Sequence, residues 1–226
     1  MTGREEAVRV AQTEVAARDW GVSRQVLAVN EVVVDSDGRP AVARVSEGHE
    51  VDTYSVYFPI HEKPYYFVVV VGPCELGQLA VSGVYVEAGV RVYLAIISVA
   101  LSPAEITARI GLTPSETHAI GDPMSPMMKY REHWWEIEPQ RDVPGSVEEK
   151  VAVVLDAVQP AVAQIAALKP ACQVRVTVVF EGWRGDPQFG SFDIDARIVG
   201  RLAELGAELY FDLYAFGPEM PDDDAP

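Results

Sequence analysis

The sequence predicts an α+β protein. An N-terminal helix with an antiparallel meander comes first, then a ferredoxin-like antiparallel sheet with helices on one side and one extra α-β unit. Three observations carry this reading. Capped segments with a 3.6-residue apolar period are interspersed with short segments of period two. Asp37-Gly38 and His61-Glu62-Lys63-Pro64 supply turns between neighbouring extended segments. At Ala88-Gly89 the rhythm changes, and from there helices separate the strands.

Taken in order, Thr2 and Glu5 have the spacing of a capping box, and Ala7, Val8, Ala11 and Val15 recur on one face, so residues 2–18 read as a helix. Extended segments follow at 25–34, 41–45, 53–58, 65–71 and 79–87. Beyond Gly89, residues 90–97 form a strand that is apolar on both faces, as a central strand is. Ser102, Pro103 and Glu105 open a helix that Gly111 ends. A loop rich in Pro and Met leads to a strand at 133–138. The longest helix begins at Ser146 and carries the stripe Val147, Val151, Leu155, Val158, Val162, Ile165 and Leu168; Pro160 should kink it. An alternating strand from Cys172, a helix capped by Asp193 and a final strand from Leu209 complete the order. The expected domains are 1–88 and 89–218, with a disordered acidic tail at 219–226.

Composition bounds the function. The chain has 226 residues, 49% of them hydrophobic and 23% charged, as in an ordinary globular protein. Eighteen basic against thirty-four acidic residues leave a formal charge of −16, spread over both halves. That surface repels nucleic acid and anionic membranes, and it attracts a basic protein partner. No apolar run is long enough to span a bilayer, the N-terminus lacks a signal peptide's basic and apolar regions, and the two cysteines form no framework. A cytoplasmic protein is expected.

A resemblance emerges from 81–218. The strand and capped helix of 90–112 (…SPAEITARIGLTP), the step Gly121-Asp122-Pro123 and the strand with Arg131, Trp134 and Trp135 carry it. So do the long helix before a Val-rich strand and the closing LAELGAELYFDLY. Together they resemble the bacterial proteins grouped as domain of unknown function DUF4279. The resemblance implies no chemistry. Some small acidic bacterial α+β proteins of this build are immunity proteins, a fold-level analogy. Residues 1–88 resemble no family.

No phosphate loop, nucleophile elbow, HExxH helix or CxxC pair occurs. His49, His61, His118 and His133 are scattered, with no cysteine or i+4 histidine beside them. Cys172 reads as a core residue and Cys74 as an unactivated thiol, Asp193 and Asp195 as helix-capping carboxylates, and Asp35-Ser36-Asp37-Gly38 as a turn. No catalytic residue, cofactor or metal site is expected. The candidate partner- or ligand-binding residues are Asp122, Arg131, His133, Trp134, Trp135 and Trp183. Trp and Arg, with the nearby Met124, Met127 and Met128, are side chains enriched in interface hot spots. Adjacent tryptophans on a strand face opposite ways, so one of the pair enters the core and the other needs cover. Trp183 is the aromatic tip of a Gly-rich loop. The leading expectation is a non-enzymatic binding module for a basic protein, an immunity-type toxin inhibitor being one form. The alternatives are a small-ligand domain with a Trp/Met/Arg-lined pocket, and a hydrolase assembled from distant residues around His118 or His133.

Overall fold

The computed structural model describes residues 2–48, 50–75, 77–186 and 192–221, which form two compact units. The first holds residues 2–89, 181–186 and 213–221, and the second holds 90–180 and 192–212. The change of rhythm at Gly89 thus marks one crossing between units, and the chain crosses again within its last strands. His49 and 222–226, most of the acidic tail, lie outside the described residues. Met220, at the start of the expected tail, lies against the first unit's core.

In the first unit, helix α1 (Gly3–Ala17) has the expected capping box of Thr2 and Glu5. The segment expected to be extended from 25 to 34 is instead helix α2 (Gly21–Val29) followed by single bridges, Val32 to Ile60 and Val34 to Pro40. The reason is a remote cap. Glu14, buried near the end of α1, accepts from the Trp20 N–H at 3.0 Å and from the Ser23 hydroxyl, which supplies α2 with the acceptor its own N-cap position lacks. Strands β1 (Arg44–Glu47), β2 (Tyr54–Pro59), β3 (Tyr66–Pro73) and β4 (Leu79–Glu87) form an antiparallel meander in chain order. Ala7, Ala11 and Val15 of α1 close over Val56, Phe58, Phe67, Val69 and Val71.

The second unit is built on β5 (Gly89–Ser98), α3 (Pro103–Ile110), β6 (Glu116–His118) and the hairpin β7 (Pro123–Ser125)–β8 (Met128–Lys129). It continues with β9 (His133–Ile137), α4 (Val147–Val158), α5 (Val162–Leu168), β10 (Gln173–Trp183), α6 (Ala196–Leu205) and β11 (Glu208–Phe216). Pro160 breaks the long helix: one 3-10 turn (Gln159–Ala161) separates α4 from α5. The stretch Val147–Leu168 is long and apolar enough to cross a membrane by composition, but Val151, Leu155, Val158 and Ile165 are buried within the fold. Asp195 rather than Asp193 caps α6, accepting from the Ile198 N–H at 2.7 Å.

The sheet order is β11-β10-β5-β9-β6. Within it, β5-α3-β6-β9-α4/α5-β10 is a β-α-β-β-α-β unit whose fourth strand lies beside the first and whose third lies between first and second. This is the ferredoxin-like order, and α6-β11 extends it. β9 is antiparallel to both β5 and β6. Ser98 Oγ donates to the Ala171 carbonyl at 2.7 Å and Tyr93 bonds Thr177, so β10 also opposes β5. The partnerships Gln173–Glu208 and Arg175–Tyr210 advance in step, so β11 runs parallel to β10, as a helical crossover requires.

One candidate changes place here. Trp183 is no loop tip: it is the last residue of β10 and 1% exposed, because the strand runs on past Phe180 into the first unit. Its ring lies 6.4 Å from that of Tyr65. Two glycines make room. A Cβ on Gly185 would stand 2.3 Å from the indole, and one on Gly217, at φ +79°, would stand 2.1 Å from the Tyr65 hydroxyl. Replacing Trp183 with Ala should lower stability by about 3–5 kcal/mol in urea unfolding, as emptying a core aromatic site does. A change below about 0.5 kcal/mol, the usual cost at an exposed loop, would contradict its burial.

Candidate functional site

The site follows from strand alternation on β9. Trp135 is fully buried, and its indole N–H donates to Thr107 Oγ1 of α3 at 2.9 Å, so the odd positions face the helices. Trp134, Glu136 and Glu138 therefore share the opposite face. Across the register, Ile97 and His118 flank Trp134, while Ala95 and Glu116 flank Glu136. Tyr93 and Arg91 continue this face along β5, and Gln173, Arg175 and Thr177 continue it on β10. The helices of this unit lie on the other side.

Electrostatics organise the face. Glu138, its side chain 1% exposed, takes a two-pronged contact from Arg91 (2.8 and 2.9 Å) and a third bond from Arg141 Nε at 2.6 Å. Burial pushes its carboxyl up, but the hydrogen bonds and charges of both arginines outweigh burial and hold it below the ordinary range. Arg141 also reaches Glu116 at 3.1 Å and approaches Glu136 at 3.9 Å. Among the described residues that is the Glu136 carboxylate's sole polar partner, although only 14% of the side chain is exposed. Burial, then the charges of Glu138 and Glu116, push the Glu136 carboxyl up to about 7 against the opposing pull of Arg141 and Arg91. Three carboxylates thus face two guanidinium groups, and the surplus negative charge falls on Glu136.

Aromatic rings stand beside it. Tyr130 stacks on His118 at 4.2 Å and meets Trp134 edge-on at 6.2 Å. His118 Nε2 lies 3.1 Å from Glu116. At the other end, the Arg175 guanidinium lies 5.0 Å above the Tyr210 ring, with its Nε buried and unpartnered among the described residues. Past Ile97 the face runs into an open cleft of about 500 Å³, lined by Gln173, Glu208, Lys169 and Glu132 among others. Among the described residues, no three His, Cys, Asp or Glu side chains are grouped to hold a metal ion. Cys172 is a buried core thiol, its pKa raised by burial.

The sequence matches the family described as Domain of unknown function (DUF4279) over residues 88–216. The chain belongs to the DUF4279 family. The match spans the whole ferredoxin-like sheet, so the face just described is built by the DUF4279 region itself. No curated protein and no solved structure matches the chain.

Of the six candidates read from the sequence of this DUF4279 protein, only Trp134 lies on this face. Trp135 is in the core, and Trp183 is in that of the first unit. Asp122 shapes a turn, its carboxylate accepting from the Ala119 N–H at 2.7 Å. His133 accepts from the Ile120 N–H at 3.2 Å on the helix-facing side, and Arg131 is exposed. The methionines stand out on the hairpin, with Met127 at 95% exposure. The sequence reading noted Glu136 beside the tryptophans without counting it among the candidates and missed Glu138, though alternation from Trp134 places both on its face.

The raised Glu136 pKa has a signed consequence. The folded protein keeps this proton up to about pH 7, whereas an unfolded chain releases it near 4.5. Its contribution to stability is therefore complete below about pH 4.5 and lost as pH rises through 7. Glu138 acts in the opposite sense, stabilising at higher pH and losing that effect as pH falls through its lowered value. Glu136→Gln should gain in urea midpoint over the parent as pH rises from about 5 to about 8. A constant difference between the two proteins over that range would contradict the shielding of this carboxyl.

Proposed function

We propose that this protein is a non-enzymatic binding module that takes a basic segment of a partner protein on the open face of its second sheet. One observation carries the reading: in the ion-pair cluster of this face three carboxylates, Glu116, Glu136 and Glu138, meet two guanidinium groups, Arg91 and Arg141, and the least engaged of the three is Glu136, largely shielded and two positions along β9 from Trp134. A partner's cation there gains Coulomb attraction and a ring face together. The formal charge of −16 adds long-range attraction for the same kind of partner. An immunity-type inhibitor of a basic toxin is one form such a module takes. The two free thiols suit a reducing compartment such as the cytoplasm.

Hydrolysis around His118 is less favoured. Its Nε2 is engaged by Glu116, its ring is stacked on Tyr130, and among the described residues no hydroxyl or thiol bonds its other nitrogen. A nucleophile–base pair needs that contact.

The test uses a peptide of about ten residues rich in Lys and Arg, with a glutamine-substituted peptide as control, followed by amide shift changes in the isotope-labelled protein. Changes should cluster on β5, β6 and β9. Binding should weaken about tenfold between about 50 and 300 mM salt, and about fivefold with Glu136→Gln or Trp134→Ala. Binding that ignores salt, or shifts scattered away from this face, would overturn the proposal.

A further inference from the structure

We infer that the open cleft at the end of the second sheet binds a short peptide, two or three residues long and free at both ends, its carboxylate on Lys169 and its ammonium on Glu132. This site lies apart from the charged cluster of β9 and does not depend on it. The cleft holds about 500 Å³, the size of a small-molecule site. Both signs of charge line it, over a floor of Ile97, Cys172 and Val174. Those three side chains are buried, whereas Val99 in the wall is 69% exposed.

The Lys169 ammonium is unspent. Its side chain lies across Gly206 at the end of α6, where a Cβ would stand 3.0 Å from Nζ. A lysine there can cap the last carbonyls of a helix. Two of those carbonyls are already taken: the Gly206 N–H donates to Ala203 at 3.0 Å and the Ala207 N–H to Leu202 at 2.9 Å. Among the described residues Lys169 Nζ has neither a hydrogen bond nor an ion pair, although two carboxylates share its cleft. Glu208 is occupied by the Gln173 amide at 2.7 Å, whereas the Glu132 carboxylate has no polar partner among the described residues. A cation and an anion that line one cleft without meeting are both matched by a ligand that carries one of each.

Strand spacing sets the length of that ligand. His133 pairs with Ser98, so Glu132 stands beside the far end of β5, next to Val99. Ser98 also donates to the Ala171 carbonyl, which places the turn carrying Lys169 on the opposite side of β5. Glu132 and that turn are thus two strand spacings apart, about 10 Å. An extended chain of three residues covers about 10 Å, and two residues suffice when both side chains lean inward. A single amino acid holds its charges too close together to reach both. The buried apolar floor and the exposed Val99 favour small aliphatic side chains on the peptide.

The test titrates Ala-Ala-Ala into the isotope-labelled protein at about pH 6.5, where the peptide amine is an ammonium. N-acetylated Ala-Ala-Ala, the C-terminal amide of Ala-Ala-Ala and free alanine are the comparisons. Amide shifts of Val99, Gln173 and Gly206 should saturate with the free tripeptide, at a Kd at least about fivefold below that of each comparison. Lys169→Met should abolish the preference over the amide while keeping that over the acetylated peptide, and Glu132→Gln should do the reverse. Both positions are exposed, so the fold is kept, and the same spectra report it. Binding that ignores blocked termini, or a preference for free termini that survives both substitutions, would overturn the inference. So would alanine binding as tightly as the tripeptide, or no saturable shift up to about 20 mM.

Discussion

A carboxylate removed from water must be matched by charge and hydrogen bonds, and Glu138 sets the terms for everything around it. Its side chain lies just beyond β9 with almost no solvent exposure, which ties Arg91 of β5 and Arg141 of the following loop to one point. Those arginines are then not free to neutralise the rest of the face. Arg141 stretches to Glu116 and only approaches Glu136, so satisfying one glutamate leaves its neighbour two positions earlier in excess. The unbalanced charge is thus a result of how the sheet is stabilised. A hydrophobic residue in place of Glu138 would remove the desolvation penalty but would also release both arginines.

Legibility differed between elements for physical reasons. Helices with a side-chain cap at their own N-terminus were readable from the sequence: Thr2 with Glu5 and Ser102 with Glu105 announce α1 and α3 within four residues. Helix α2 was not readable, because its cap comes from Glu14 on the preceding helix and its Val-rich sequence has the composition of a strand. β6 is three residues long, too short to establish a period, and it exists by pairing with β9. The ferredoxin-like order with one added α-β unit was legible because the helices and strands that define it are strongly patterned.

The site was half legible. Two adjacent tryptophans on one strand must point opposite ways, and they do: Trp135 enters the core and Trp134 stays out. Residue type drew attention to Met, Arg and His in the loop upstream, but position matters more than type. Glu136 and Glu138 share the Trp134 face through simple alternation, while His133 shares that of Trp135. Arg91 and Glu138 are 47 residues apart, and no local pattern announces such a pair. Trp183 illustrates the same limit, since a Gly-rich setting reads as a loop when the glycines are in fact making space for a buried ring.

That ring also bears on the order of assembly. The core beneath α1 contains a side chain supplied 94 residues after Gly89 closes the opening segment. During synthesis from the N-terminus, the meander emerges long before the tryptophan that fills it. The opening segment must wait with an incomplete interior until most of the polypeptide has left the ribosome. A nascent chain arrested before that point would carry an apolar vacancy, which makes it a natural client for chaperones.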